Sequence, residues 1–300
     1  MKYLIAVVCL FSFVSVQAQK SKLPKTSPVE KGEGSNGVQT LNLKKGDSFK
    51  FSLIVDSKQS VSAMGMDQTT STGGDIKILL STKDVTPAVS TIELKYQSAK
   101  VSMKGMTMAG VPDTTFTLTN LESLNDIMTV IPNGTITNHK IKNSETSTMS
   151  DQLIKQIAGN SSVLRNIFIE FPDRPLTNGM EWKKSTHDTT LKGEKGSVVT
   201  NTIMKMTYSG TVDTLGFRCG KIQYKSEKVS ISGTLSQMGM EMSVEGDGII
   251  DGVSYFELST GVPVAVRTVS QLDQRMSMSG QQEMVIPISV DMTTTLARVK

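Results

Sequence analysis

An alternation of apolar and polar residues recurs along most of this chain and constrains its fold more than any other feature. After the turn residues Gly46 and Asp47, the apolar residues Phe49, Phe51, Leu53 and Val55 alternate with largely polar residues. A period of two places every second side chain on one face of a strand. The pattern returns at 76–80, 89–103, 115–118, 198–208, 221–232, 238–250, 253–258, 262–278 and 284–292. Thr and Val abound in these runs, because β-branched side chains fit a pleated surface. Thr260-Gly261, between Tyr255-Phe256 and Val262, reads as a tight hairpin turn. The expected fold is therefore mainly β, with curved antiparallel sheets forming an open barrel or two related half-barrels.

One segment departs from this period. Met149, Leu153, Ile154, Ile157, Val163, Leu164 and Ile167 are spaced as one face of a helix, and Ser147 or Ser150 can serve as N-cap. The spacing predicts one helical segment near 148–168. It ends before Phe171-Pro172-Asp173-Arg174-Pro175, where two prolines stiffen an extended linker.

The chain repeats itself across that segment. Leu94-Lys95-Tyr96-Gln97-Ser98-Ala99-Lys100-Val101-Ser102-Met103-Lys104-Gly105 aligns with Ile222-Gln223-Tyr224-Lys225-Ser226-Glu227-Lys228-Val229-Ser230-Ile231-Ser232-Gly233. Leu43-Lys44-Lys45-Gly46-Asp47-Ser48-Phe49 aligns, more weakly, with Leu176-Thr177-Asn178-Gly179-Met180-Glu181-Trp182. In each of this second pair, a glycine turn launches a strand with an aromatic three residues later. The expected organisation is a first β half over 39–145, a helical connector over 146–170 and a second β half over 171–300, related by internal duplication.

Residues 1–18 read as a secretory signal peptide: Lys2 is the positive end, Leu4 to Val16 the apolar run, and Val16-Gln17-Ala18 the small-residue cleavage site. Residues 19–38, rich in Lys, Ser, Pro and Gly, read as a flexible leader that cannot bury enough surface to offset its ordering entropy. No later run is apolar enough for a transmembrane helix, so the expected product is exported, periplasmic or extracellular, without an anchor. Cleavage leaves one cysteine, Cys219, so no intramolecular disulfide is expected and Cys219 reads as a small buried hydrophobe. The net charge of +4 is spread among Thr and Ser rather than gathered on a face, which argues against nucleic acid as a partner.

Chemistry-bearing motifs are scarce. The two histidines, His139 and His187, lie in polar stretches and read as loop or strand-edge residues. Gly-x-Ser-x-Gly, clustered Cys/His ligands and a phosphate-cradling glycine loop are all missing. Glu245-Gly246-Asp247-Gly248 to Asp251-Gly252 is acidic and glycine-rich, but offers too few oxygens for calcium and reads as a pair of turns. No catalytic residue and no cofactor are expected.

Methionine is the residue type that stands out. Met64-Gly65-Met66, Met106-Thr107-Met108, Met238-Gly239-Met240-Glu241-Met242 and Met276-Ser277-Met278 each space it by two, which on a strand gathers each set on one face. Such an array fills a core, makes a plastic wall for an apolar ligand, or offers soft sulfurs that select Cu(I).

The Gln17-Ala18-Gln19 end of the signal peptide, the Leu43 to Phe49 opening, the Phe171-Pro172 to Trp182 centre and the Phe256-Glu257-Leu258-Ser259-Thr260-Gly261-Val262-Pro263 hairpin together resemble exported β-rich proteins of the Bacteroidota, a domain family of unknown function. That resemblance implies a Gram-negative envelope and carries no site residues. More remotely, the architecture is similar to the open-barrel lipoprotein carriers of the envelope, whose curved sheet wraps helices and holds acyl chains.

The expectation is a non-catalytic exported binding protein, holding a hydrophobic small molecule or lipid against Met64, Met66, Met106, Met108, Met238, Met240, Met242, Met276 and Met278. The alternatives are an envelope scaffold that docks a protein partner, and a Cu(I)-binding periplasmic protein.

Overall fold

The computed structural model describes residues 37–63, 66–105, 112–119, 121, 125–142, 167–192, 195–237, 240–279 and 284–299. The expected signal peptide, most of the expected leader and almost all of the expected helical segment lie outside the described residues. At the end of that segment Ile167 and Phe168 are described, and they are buried and non-helical.

The described residues form twelve strands: β1 (Ser48–Ala63), β2 (Met66–Val85), β3 (Ser90–Lys104), β4 (Thr114–Thr119), β5 (Asn125–Val130), β6 (Ile136–Lys142), β7 (Glu181–Lys192), β8 (Lys195–Thr214), β9 (Phe217–Gln237), β10 (Met240–Glu257), β11 (Pro263–Ser279) and β12 (Met284–Val299). They make one antiparallel sheet in the order β6-β5-β3-β2-β1-β12-β11-β10-β9-β8-β7, with β4 beside β5 on β3. The sheet stays open rather than closing into a barrel, and its first and last long strands, β1 and β12, pair at its middle.

The period of two does what it predicts. Phe51 lies opposite Ile78, Leu53 opposite Ile76 and Leu296, and Leu80 opposite Leu94, so these side chains share one inner face. That face carries two apolar regions. Near one end of the strands, the base, Phe51, Leu53, Ile76, Ile78, Leu94 and Leu296 pack with Leu41, Leu43, Ile167 and Phe168. At the opposite end, the rim, Val198, Ile231, Leu235, Val244, Ile286 and Ile288 pack with three methionines. Between the two regions the inner face is hydroxyl-rich and still buried, with Ser57 opposite Thr72 and Thr268 opposite Thr294.

Two irregular segments close the base. Leu41 donates its backbone N–H to Pro132 (2.7 Å) and Asn42 to Thr260 (2.9 Å), tying the chain before β1 to the β5–β6 and β10–β11 turns. The expected linker is anchored on both sides of its prolines. Phe171 donates to Asn133 (2.7 Å) and meets Phe256 edge-on at 4.9 Å between centroids, and Leu176 is fully buried beside it. Both prolines thus lie between buried anchors.

One expectation is corrected by the sheet. Glu245 to Gly252 is not a pair of turns but the middle of the continuous strand β10, with a bulge against β9 between Asp247 and Asp251. Three sequence runs that lack apolar alternation are also strands: β5, β6 and β7.

Candidate ligand-binding site

Of the expected methionine pairs, Met242, Met276 and Met278 lie buried at the rim. The connections β1–β2, β3–β4, β9–β10 and β11–β12 all lie at this end of the sheet, and each carries or adjoins one of the Met-x-Met pairs. Met64, Met106, Met108 and Met238 lie outside the described residues, and for Met240 only the backbone is described.

The register sets the remaining methionines side by side. Met242 of β10 pairs with Met278 of β11, which pairs with Met284 of β12, so three thioethers occupy one rung of the inner face. Directly opposite residues of an antiparallel pair hold their Cβ atoms about 4.5–5.5 Å apart. Leu235 of β9 extends the rung past Met242. The next rung toward the base is mixed, with Val244, Met276 and Ile286. Met242, Met276 and Met278 are 2%, 1% and 6% exposed, whereas Met66, opposite Ala63 at the start of β2, is 52% exposed and stands apart from them.

A half-open cavity of ≈ 530 Å³ lies against this rung. Gly196, Leu235, Met242, Met278 and Met284 line it, together with Val285, Glu241 and the hydroxyl residues Thr234, Ser236, Ser243 and Ser277. The buried methionines therefore do both things open to them: they pack into a filled cluster, and two of them border a space. Met284 was not singled out from the sequence because it has no Met two residues away. Its signal exists only in the pairing with Met278.

His139, on the edge strand β6, approaches the Asp126 carboxylate (3.4 Å), which also accepts a hydrogen bond from the Tyr96 hydroxyl (3.0 Å). Burial, with the negative charge of Asp126 added, pushes the Tyr96 phenol well above its ordinary range. His187 is exposed on β7, with its Nδ1 2.6 Å from Asn201 Oδ1. Among the described residues no group of three or more His, Cys, Asp or Glu is placed to hold a metal ion, and no helix is long and apolar enough to cross a membrane. Protein-family models and curated proteins yield no match to this chain.

Proposed function

We propose that this is an exported, non-catalytic binding protein that holds one hydrophobic, lipid-like molecule in the cavity at the rim. The observation that carries the reading is the cavity itself, ≈ 530 Å³ and bordered by Leu235, Met242, Met278 and Met284. Its size falls inside the roughly 300–1,000 Å³ of small-molecule sites, which favours a single-chain molecule over a two-chain lipid. Thioether side chains are unbranched and polarizable, so a wall of them adjusts to apolar ligands of differing shape.

The test is native mass spectrometry of the protein purified from its own source, with organic extraction of anything released, followed by titration of the stripped protein with a fluorescent fatty acid. The expected result is a co-purifying lipid and saturable uptake, reduced by the cavity-filling change Met284→Trp in a protein that still melts cooperatively. An apo mass together with no saturable uptake overturns the reading.

A further inference from the structure

We infer that the rung Met242, Met278 and Met284 is a Cu(I) site. The inference does not depend on the lipid reading, because it concerns the sulfur atoms rather than the volume they border.

The three residues come from three adjacent strands and sit directly opposite one another on the inner face. All three line the cavity, which gives an ion access to side chains that are otherwise shielded. Met side chains have three rotatable bonds, so thioethers on neighbouring strands can turn toward a common centre without moving the sheet.

The donor set selects the metal. Thioether sulfur is soft and neutral, and prefers Cu(I) over the hard divalent ions. Calcium and magnesium need several oxygen ligands, and zinc needs thiolate, imidazole or carboxylate. The one carboxylate in the lining, Glu241, is exposed, so its charge stays hydrated rather than joining the buried sulfurs. Enclosing a singly charged ion among neutral groups also costs far less solvation than enclosing a doubly charged one. Core filling alone does not account for the composition of the rung. The rung beside it uses Val244, Met276 and Ile286, so the strands accept branched aliphatic residues at this depth, yet the rung bordering the cavity is methionine on all three.

The experiment is anaerobic titration of the full chain with the Cu(I)–bicinchoninate complex, whose colour fades as the protein extracts the ion. It is read beside the copper K-edge spectrum of the loaded protein. The expected result is about one Cu(I) per chain in a sulfur-only shell of about three ligands. Changing all three residues to Leu keeps the side-chain volume, so the protein should still melt cooperatively while Cu(I) affinity falls at least about tenfold. Failure to extract Cu(I) from the complex, or a triple-Leu protein that binds as tightly as the parent, overturns the site. Either failure leaves the lipid reading standing, because fatty-acid uptake reports on that reading separately.

Discussion

Cys219 shows how far a single residue can be read before the fold is known. With the expected signal peptide removed, Cys219 reads as a small hydrophobe, and it is fully buried beside Val212, Tyr255, Val264 and Ala265 near the base. Burial pushes its thiol up to about 12. A thiol-specific reagent such as DTNB is expected to leave the native protein unlabelled at pH 8 and to label it fully in urea; rapid native labelling would contradict the burial. Because the folded pKa lies above the free value of about 8.5, the unfolded state gives up its proton first. This group therefore withdraws stability as pH rises above about 8.5. Arg298 was beyond the sequence, because its partners come from three other parts of the chain. It donates to Glu257 (2.9 Å) and to the carbonyls of Val262 and Pro263, and its guanidinium lies over the rings of Phe49 (4.9 Å) and Phe217 (4.6 Å). Burial alone would raise the Glu257 carboxyl, but the hydrogen bonds and charge of Arg298, with the Thr260 hydroxyl, hold it below the usual range. The pair is thus stabilising above the unfolded carboxylate pKa of about 4.3 and loses its effect as pH falls through the lowered folded value. Arg298→Ala leaves the carboxylate without its counter-ion and should cost about 3–5 kcal/mol in urea unfolding at neutral pH. A loss under about 1 kcal/mol would place the pair among ordinary surface bridges.

The strands divide between those the sequence exposes and those it hides, and the reason is burial. β1, β2 and β3 bury an apolar set on one face and leave a polar one on the other, so their period is plain. At the edge of the sheet, Glu181-Trp182-Lys183-Lys184-Ser185-Thr186-His187-Asp188 of β7 has little apolar core to face, and a polar strand has no hydrophobic period. The middle of β10 was hidden by its glycines, which read as turn residues yet sit in the strand because neighbouring groups occupy the space a side chain would need. Across Gly252 lies the ring of Tyr224 from β9, so close that an added Cβ would overlap it. The Tyr224 hydroxyl then reaches Thr268 of β11 (2.7 Å), spanning β10 with one side chain. Burial pushes that phenol up to about 12. Gly252→Ala should displace the ring, break the bond to Thr268 and cost about 1–3 kcal/mol by overpacking. Tyr224→Phe, which removes only the hydroxyl, should cost about 0.5–1.5 kcal/mol. Urea titrations of both variants decide between this account and a turn, for in a turn Gly252→Ala would cost no more than the hydroxyl deletion.

For the molecule as a whole, the repeated sequence becomes a repeated pairing. Tyr96 lies opposite Ile78 and Leu94 opposite Leu80, while Tyr224 lies opposite Met206 and Ile222 opposite Tyr208. Each residue of the second set follows its counterpart by the same number of positions. The aligned glycines have matching surroundings: a Cβ on Gly105 would strike the carbonyl of Thr69, and one on Gly233 that of Ser197. The weaker sequence match holds as well. Gly46 and Gly179 both have positive φ, and each donates its N–H into the neighbouring strand, to Thr82 (2.9 Å) and Tyr208 (2.8 Å). These correspondences support descent of the two halves from one ancestral unit. What the repeat could not reveal is how the halves join, because that depends on pairing between distant residues and on the connector. β1 and β12 pair through the middle of the sheet, and the described stretch 167–171 divides its side chains between halves, with Ile167 and Phe168 in one apolar cluster and Ile169 and Phe171 in another. Neither half can unfold without stripping a partner strand and a set of buried aromatics from the other. The two should therefore unfold in urea as one transition. Trp182, the chain's only tryptophan, packs against the second half's cluster and reports that half by fluorescence, while far-UV circular dichroism reports the whole sheet. Coincident curves are expected, and Phe171→Ala should shift both together by about 3–5 kcal/mol, since it removes a buried ring from the seam. If fluorescence were lost in a separate earlier step, the halves would be independent domains that merely touch.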